Sequence, residues 1–499
     1  MLFTDVFINY RNPDSSAPRI GVLFSCGDKT RRIPLTFKNE NDGLLRYTGS
    51  YVLSSVFYKF KPGDTVLSVV DENGEIINVF ESVTVNSSLN GSVFENRGKT
   101  VISSKLMNKK PKRNFKDLLK RDTAVSIVFG ILNFFFKIYK CFHRVKPDRV
   151  AFVSGRRSEL DGNMLRVYNE LKKVIGVDIK TLFFKQLSGK QILFNAFEFM
   201  KLYAESRVIV VDDYFRLFNY FDKPEGTKII QLWHACGAFK TFGYSRIGKP
   251  GGPSQYDVNH RMYDYAVVSS PEVARHYAEG FGISDSCVVP LGVARTDVFF
   301  SEEYKQWTRR RLYEKYPSLN GKRVALFAPT FRGDGQQSAY YPTDRLDINA
   351  LMKEAGEDTA LIIKLHPFCK ERYVIDGTLK DRVIDLSDSD ELNDLLFITD
   401  LLITDYSSAV FEASLLNIKM LFYAFDLEEY ISERDFYYNY SGFVPGEIVR
   451  TQDELLQSIN NVDTDVSRVA EFKERFFTSV GNASESAAEL ITSLLEVDG

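Results

Sequence analysis

Three separated segments hold the residues most able to do chemistry: QLWHACGAFKTFG around His234, KLHPF around His366 and LLITDYSSAVFEA around Asp405. The chain has only five histidines in 499 residues, and these two stand just past strand-like apolar runs. A neutral imidazole takes a proton at pH 7, and a charged one holds phosphate oxygens. The third segment stops an apolar run at Asp405, puts Ser407 and Ser408 in a turn, and opens an apolar-periodic helix. Such a turn presents N–H and hydroxyl groups to an anion. In ALFAPTFRGDG, Thr330 and Arg332 offer a hydroxyl and a guanidinium suited to phosphate oxygens. Glu412 lies in the first turns of the helix after Asp405 and is placed to meet ribose hydroxyls.

Each segment taken singly has a plainer reading. His234 can be a satisfied core histidine, His366 a turn cap, Arg332 a side chain in water, and the two serines ordinary helix caps. Lys364 alternates with buried positions and reads as solvent-facing, and Asp426, Glu428 and Glu429 read as a solvated loop. Several chemistries are excluded. There is no GxxxxGK[ST] loop, no GxGxxG after the first strand of either α/β region, and no GxSxG elbow. No Cys/His cluster has zinc spacing and no DxD-like pair offers a metal site, so no metal ligand is named.

These residues need elements to position them. Residues 1–98 read as a small all-β module, a β-sandwich, because short β-branched and aromatic runs alternate with turn chemistry such as NPDSSAP, NENDG and KPGD. It is either a glycan- or partner-binding module or a spacer. From 147 the pattern becomes α/β. RVAFVSG, IKTLFF, RVIVVDD, KIIQLW and YAVVSS form one series, and RVALFAPT, ALIIKLHP, RVIDLS, LLITDYSS and KMLFYAF a second, with helices closing the chain over about 452–495. The expected architecture is two doubly wound, Rossmann-like domains, 147–318 and 319–499, facing across a cleft where the strands end.

Between the β-module and the α/β region, residues 99–146 form a basic and apolar segment. Residues 105–121 carry eight Lys/Arg against one Asp, and an uncharged stretch follows from Thr123 to Phe136. That stretch is shorter than the ~18–20 residues of a bilayer span. A basic approach, an apolar run and a basic exit fit a helix lying in the interface of an anionic membrane. A core helix behind a solvated charge run is the alternative. The net charge of −2 gives no reason to expect a nucleic-acid partner. Five dispersed cysteines and no apolar leader in residues 1–20 suggest a reduced, cytoplasmic-side setting.

Taken together and in order, QLWHACGAFKTFG, ALFAPTFR, IIKLHPF, LLITDYSSAVFEAS and KMLFYAFDLEEY resemble the CDP-glycerol glycerophosphotransferases, the teichoic acid primases and polymerases and their capsule-forming relatives. The resemblance covers about residues 147–490. It implies a GT-B architecture, acceptor side first and nucleotide side second, at the cytoplasmic face of the membrane as a peripheral protein. It implies His234 as base for the acceptor hydroxyl, His366 near the donor diphosphate, and Thr330, Arg332, Ser407 and Ser408 lining the CDP phosphates, with Asp405 heading that motif. The donor it implies is CDP-glycerol and the acceptor a lipid-linked saccharide or polyol phosphate. CDP-ribitol, a nucleotide sugar on the same architecture, and a non-catalytic glycan binder stay open as alternatives. So do Mg²⁺ assistance and homo-oligomer formation. One departure stands out: many members read Trp-His-Gly-Thr-Pro where this chain has Trp233-His234-Ala235-Cys236-Gly237.

Overall fold

A computed structural model describes residues 3–495 except 11–18, 27–28, 42–43, 53–62, 72–73, 78–81, 88–93, 97–98, 105–122, 185–189, 248, 250–251, 254–258, 334–336 and 463–465. The chain packs as two units. One comprises Met1–His234, Thr241–Ala294 and Ser484–Gly499, and the other Ala235–Lys240 and Arg295–Ala483.

The first unit begins with antiparallel strands β1 (Phe3–Tyr10), β2 (Gly21–Cys26), β3 (Lys29–Pro34), β4 (Thr36–Asn41), β5 (Leu44–Val52), β6 (Gly63–Val70), β7 (Ser82–Ser87), β8 (Phe94–Asn96) and β9 (Lys99–Ser104). They form two sheets, β4-β5-β1-β7 and β3-β2-β6-β9-β8, as the alternating β-branched runs lead one to expect. This module is fixed to the α/β part of its unit. The buried carboxylate of Glu279, on helix Pro271–Phe281, pairs with Arg19 at 2.9 Å and Arg32 at 3.0 Å. The Thr30 N–H donates to Ser284 Oγ at 3.1 Å. Burial and the nearby Arg261 push the Arg31 guanidinium down to about 9.

A parallel sheet follows, from β10 (Lys146–Ser154), β11 (Asp178–Phe183), β12 (Ser206–Val211), β13 (Lys228–Gln231), β14 (Tyr265–Val267) and β15 (Val288–Val289), in the order β11-β10-β12-β13-β14-β15. Its central strands are apolar on both faces, as a helix-covered parallel sheet demands. Val150, Phe152, Val208 and Val210 are fully buried. The helix Ala483–Ser493, near the chain's end, returns to this sheet, and its Ala487, Ala488 and Ile491 share the core with Val150 and Phe152.

The second unit holds β16 (Arg323–Phe327), β17 (Thr359–Ile363), β18 (Val383–Asp385), β19 (Leu401–Thr404), β20 (Lys419–Tyr423) and β21 (Glu447–Val449), all parallel, in the order β18-β17-β16-β19-β20-β21. This is the doubly wound order in which the chain reverses direction between its first and fourth strands. The reversal falls between β16 and β19, and ligands of such sheets gather beyond the carboxyl ends at that point. Thr330 and Arg332 follow β16 and Asp405 follows β19, so the topology itself selects these residues.

The apolar run expected to be interfacial forms the helix Thr123–Phe142. The basic residues 105–121 lie outside the described residues. One face of the helix is buried: Phe129 stacks on Tyr220 with centroids 3.8 Å apart, and Phe136 packs on Tyr203 and Phe221. Ile131, Phe134, Phe135, Ile138 and Phe142 are exposed, at the three-and-four spacing of a single helical stripe. Among the described residues no helix is long and apolar enough to cross a membrane.

Candidate active site

In the first unit, His234 sits three residues past the end of β13. Its loop is held from both sides. Gln231 Oε1 accepts from the Trp233 N–H at 2.8 Å, and Asn163 Nδ2 donates to the Trp233 carbonyl at 2.6 Å. Trp233 takes a left-handed φ of 53°, unusual for a bulky residue, and its ring lies tilted against that of His234 with centroids 4.4 Å apart. The backbone is bent so that the imidazole is presented at the sheet's carboxyl edge.

His234 Nδ1 lies 3.4 Å from the Asp212 carbonyl and 3.9 Å from Asp213 Oδ2. A proton on Nδ1 meets the Asp212 carbonyl, with the Asp213 charge near it, which leaves Nε2 as the accepting nitrogen. Burial lowers the His234 pKa, against the opposing pull of Asp213, so the ring is neutral at pH 7. Asp212 is itself buried, accepts from Ser154 Oγ at 3.1 Å and pairs with Arg157. Ser154 ends β10 and Asp212 follows β12, so they mark the reversal point of the first parallel sheet. His260, on a left-handed backbone with φ 64°, accepts at or donates from Nδ1 to the Tyr263 hydroxyl at 2.8 Å, and burial pushes it down to about 4. It is a core histidine beside Trp233, with ring centroids 5.8 Å apart.

In the second unit, Asp405 is an internal hub. Its carboxylate accepts from the Thr330 N–H at 2.7 Å, the Tyr406 N–H at 2.5 Å and Arg332 Nη1 at 2.9 Å. Arg332 also grips Asp426 with two parallel bonds, 2.6 and 2.9 Å long. Its guanidinium is packed among the rings of Tyr406, Tyr430, Phe425 and Tyr341 at 5.0–5.7 Å. The arginine read from the sequence as a phosphate ligand is thus largely occupied by two carboxylates. Asp426, expected in a solvated loop, is one of them and also accepts from the Tyr406 hydroxyl at 2.9 Å. Glu412, expected to meet a ribose, is buried and ion-paired with Arg295. Lys364 does not face solvent freely. Its ammonium donates to the carbonyls of Leu386, Ser389 and Asp390 at 2.6–2.8 Å and fastens that loop.

His366 follows β17, and its Nδ1 accepts the Phe368 N–H at 3.1 Å. The proton of the neutral ring therefore sits on Nε2. Burial and the charge of Lys240 both lower its pKa. Its ring lies 4.8 Å from Phe331 and 4.5 Å from Phe368. Ser407 Oγ accepts the Ala409 N–H at 3.2 Å and so caps helix Ala409–Leu415, whereas Ser408 is exposed and makes no side-chain cap bond. Thr330 Oγ1 is 3.5 Å from Lys240 Nζ. Asp212, Asp213 and Lys240 escaped the sequence reading, which places Asp426 in solvent. The signal available was the acidic pair ending RVIVVDD and a lone lysine closing HACGAFK. Among the described residues no group of three His, Cys, Asp or Glu side chains could hold a metal ion.

The segment Ala235–Lys240 packs wholly within the second unit. Phe239 stacks between Phe436 and Phe443, each at 4.8 Å, and its carbonyl accepts the Tyr437 N–H at 2.9 Å. Gly237 has φ 60°, and a Cβ there would fall 2.0 Å from the buried Phe411 ring. This explains a glycine at this position. Gly237→Ala is expected to lower stability by about 1–3 kcal/mol through overpacking, with further strain from the left-handed backbone. Urea unfolding checks it, and an unchanged midpoint would contradict the packing account.

A family described as CDP-Glycerol:Poly(glycerophosphate) glycerophosphotransferase matches residues 135–493. The chain is 41% identical over 349 residues to a teichoic acid poly(ribitol-phosphate) polymerase of Bacillus spizizenii, covering 70% of this chain and 56% of that one. It is 38% identical over 381 residues to a teichoic acid ribitol-phosphate primase of the same organism, covering 74% of this chain and 97% of the primase. The chain therefore spans little more than half of the polymerase and nearly all of the primase. Among solved structures, the wall teichoic acid polymerase TagF is similar in fold, with a TM-score of 0.58 and 23% identity over 76% of this chain and 98% of that one.

Proposed function

We infer the function from one premise: the chain belongs to the CDP-glycerol:poly(glycerophosphate) glycerophosphotransferase family. It is a transferase that moves a polyol phosphate from a CDP-polyol to a hydroxyl of a lipid-linked teichoic acid acceptor, releasing CMP. The acceptor oxygen attacks the phosphorus next to the polyol, a new P–O bond forms, and the P–O bond to CMP breaks. His234 Nε2 takes the hydroxyl proton. His366 donates its Nε2–H to the departing phosphate, with Thr330 and the Ser407–Ser408 turn supplying further donors. Phosphoryl transfer is mostly positioning and electrostatics, so fixed donors of this kind supply much of the acceleration. Arg332, Asp405 and Asp426 position that turn, and Glu412 with Arg295 steadies the helix behind it.

The observation that carries this reading is the opposite hydrogen-bonding environment at Nδ1 of the two histidines. A carbonyl faces Nδ1 of His234, and a backbone N–H faces Nδ1 of His366. One ring is thereby set as an acceptor and the other as a donor, without either being charged.

Ribitol phosphate is the proposed cargo, in place of the glycerol phosphate suggested by the motifs. The polymerase and primase named above, at 41% and 38% identity, both take their names from ribitol phosphate. Glycerol phosphate is the second reading, favoured by the family's own description. Turnover of labelled CDP-ribitol against CDP-glycerol, on a defined lipid-linked primer with products weighed by mass spectrometry, decides between them. Failure with both donors would remove the whole reading.

The enzyme meets its acceptor at the cytoplasmic face as a peripheral protein, through the exposed stripe of helix Thr123–Phe142. Phe194 and Phe197 of the neighbouring helix Lys190–Glu205 are also exposed. Lys137, 3.8 Å from Asp222, and Lys201, paired with Glu198 at 3.0 Å and standing 4.4 Å over the Phe197 ring, lie beside the apolar face. Changing Phe134, Phe135 and Phe142 together to serine is expected to reduce sedimentation with anionic vesicles at least about tenfold. Equal sedimentation of the wild type and the triple variant would refute this surface.

A further inference from the structure

Building on the proposed donor site, we propose that Lys240 is the cation that receives the donor's phosphate, and that it gains a proton when the phosphate arrives. The choice follows from what the neighbouring cations are already doing. Arg332 is held by Asp405 and Asp426, and Lys364 by four carbonyls. Lys240 has neither kind of partner among the described residues. Its Nζ lies 3.5 Å from Thr330 Oγ1 and 5.5 Å from the centre of the Tyr430 ring. Its backbone is fixed by an antiparallel bridge to Phe436 and by the stacked ring of Phe239 beside it. The side chain is therefore delivered to the carboxyl edge of β16 by a rigid segment, next to the threonine that follows that strand.

The groups facing it are Asp405 beyond β19, Arg332 beyond β16, His366 beyond β17, and Tyr430 and Arg434 on helix Leu427–Arg434. Asp405 favours the ammonium, while Arg332 and Arg434 oppose it. Burial is the largest influence and brings Lys240 down to about 7. A phosphate placed against it adds negative charge where two arginines had set the balance, and raises the pKa again. Ligand binding above pH 7 must then draw in a proton, and affinity falls as pH rises past 7.

The test uses the full-length enzyme with CDP and cytidine as probes, in calorimetry at pH 7.5 and 8.5. The wild type is expected to bind CDP several-fold to about tenfold more weakly at pH 8.5, with proton uptake visible as heat that varies with the buffer. The terminal phosphate of CDP, with a second pKa near about 6, is already ionised in that window. His366 titrates below it, and burial pushes Tyr430 above it. Lys240→Met is expected to lose at least about tenfold in CDP affinity, to lose the pH dependence, and to bind cytidine like the wild type. Lys240→Arg, charged throughout, is expected to bind CDP with no change between the two pH values. CDP binding by Lys240→Met within twofold of the wild type would overturn the role of Lys240 alone. A wild type that does not bind CDP would overturn the donor-site reading with it. Thermal melts confirm that both variants are folded.

Discussion

His234→Ala is expected to slow transfer by about 10²–10⁴-fold, the range a positioned general base supplies, while CDP binding stays at the wild-type level. The two effects separate because the residues proposed to hold CDP all belong to the second unit. His366→Ala is expected to lower the rate and the CDP affinity together, since its Nε2–H is assigned to the phosphate. The pH profile adds a signature. Burial lowers the His234 pKa, so the protonated, inactive form appears only below the usual imidazole value. Activity is thus full at neutral pH and falls as pH drops through a point below about 6.5. Single-turnover rates with each variant measure this directly. Near-normal turnover in His234→Ala would remove the base from the mechanism.

Asp405→Ala is expected to act through the fold. It leaves Arg332 with one carboxylate in place of two, and strands the N–H groups of Thr330 and Tyr406 in a buried place. Breaking a buried ion pair by removing one partner costs about 3–5 kcal/mol. At about 2–4 °C per kcal/mol for a unit of this size, the melting temperature should drop by roughly 6–20 °C. Asp405→Asn keeps the shape and one acceptor, and should lose less. Calorimetry checks both. An Asp405→Ala protein with unchanged melting but no activity would instead place the carboxylate on a ligand.

These two cases show what the sequence could and could not convey. Histidines, serines and the Asp405 turn are local signals, because a strand, a turn and a helix start are written in consecutive residues. The β16 and β19 runs were equally plain, and the architecture of two parallel sheets behind an antiparallel module follows from them. Partnerships across the chain are not written that way. Arg332 finds Asp426 ninety-four positions later and Glu412 finds Arg295 one hundred and seventeen positions earlier. A loop aspartate such as Asp426 looks solvated until its partner is known. Lys364 misleads for a related reason: alternation places its Cβ correctly, but the long stem carries the ammonium to carbonyls of the Leu386–Asp390 loop. The return of helix Ala483–Ser493 to the first sheet was also invisible, since nothing in its apolar period names the sheet it covers.

The short stretch Ala235–Lys240 has a practical consequence for anyone recombining members of this group. Cutting a chimera at Ala294/Arg295 would leave behind six residues whose rings and carbonyl are matched to Phe436, Tyr437 and Phe443. A second unit transplanted without them would arrive with an empty aromatic slot and no Lys240. A graft that carries 235–240 along with 295–483 keeps the slot filled, so hybrid enzymes should be designed with junctions at 234/235 and 240/241 in addition to those at 294/295 and 483/484.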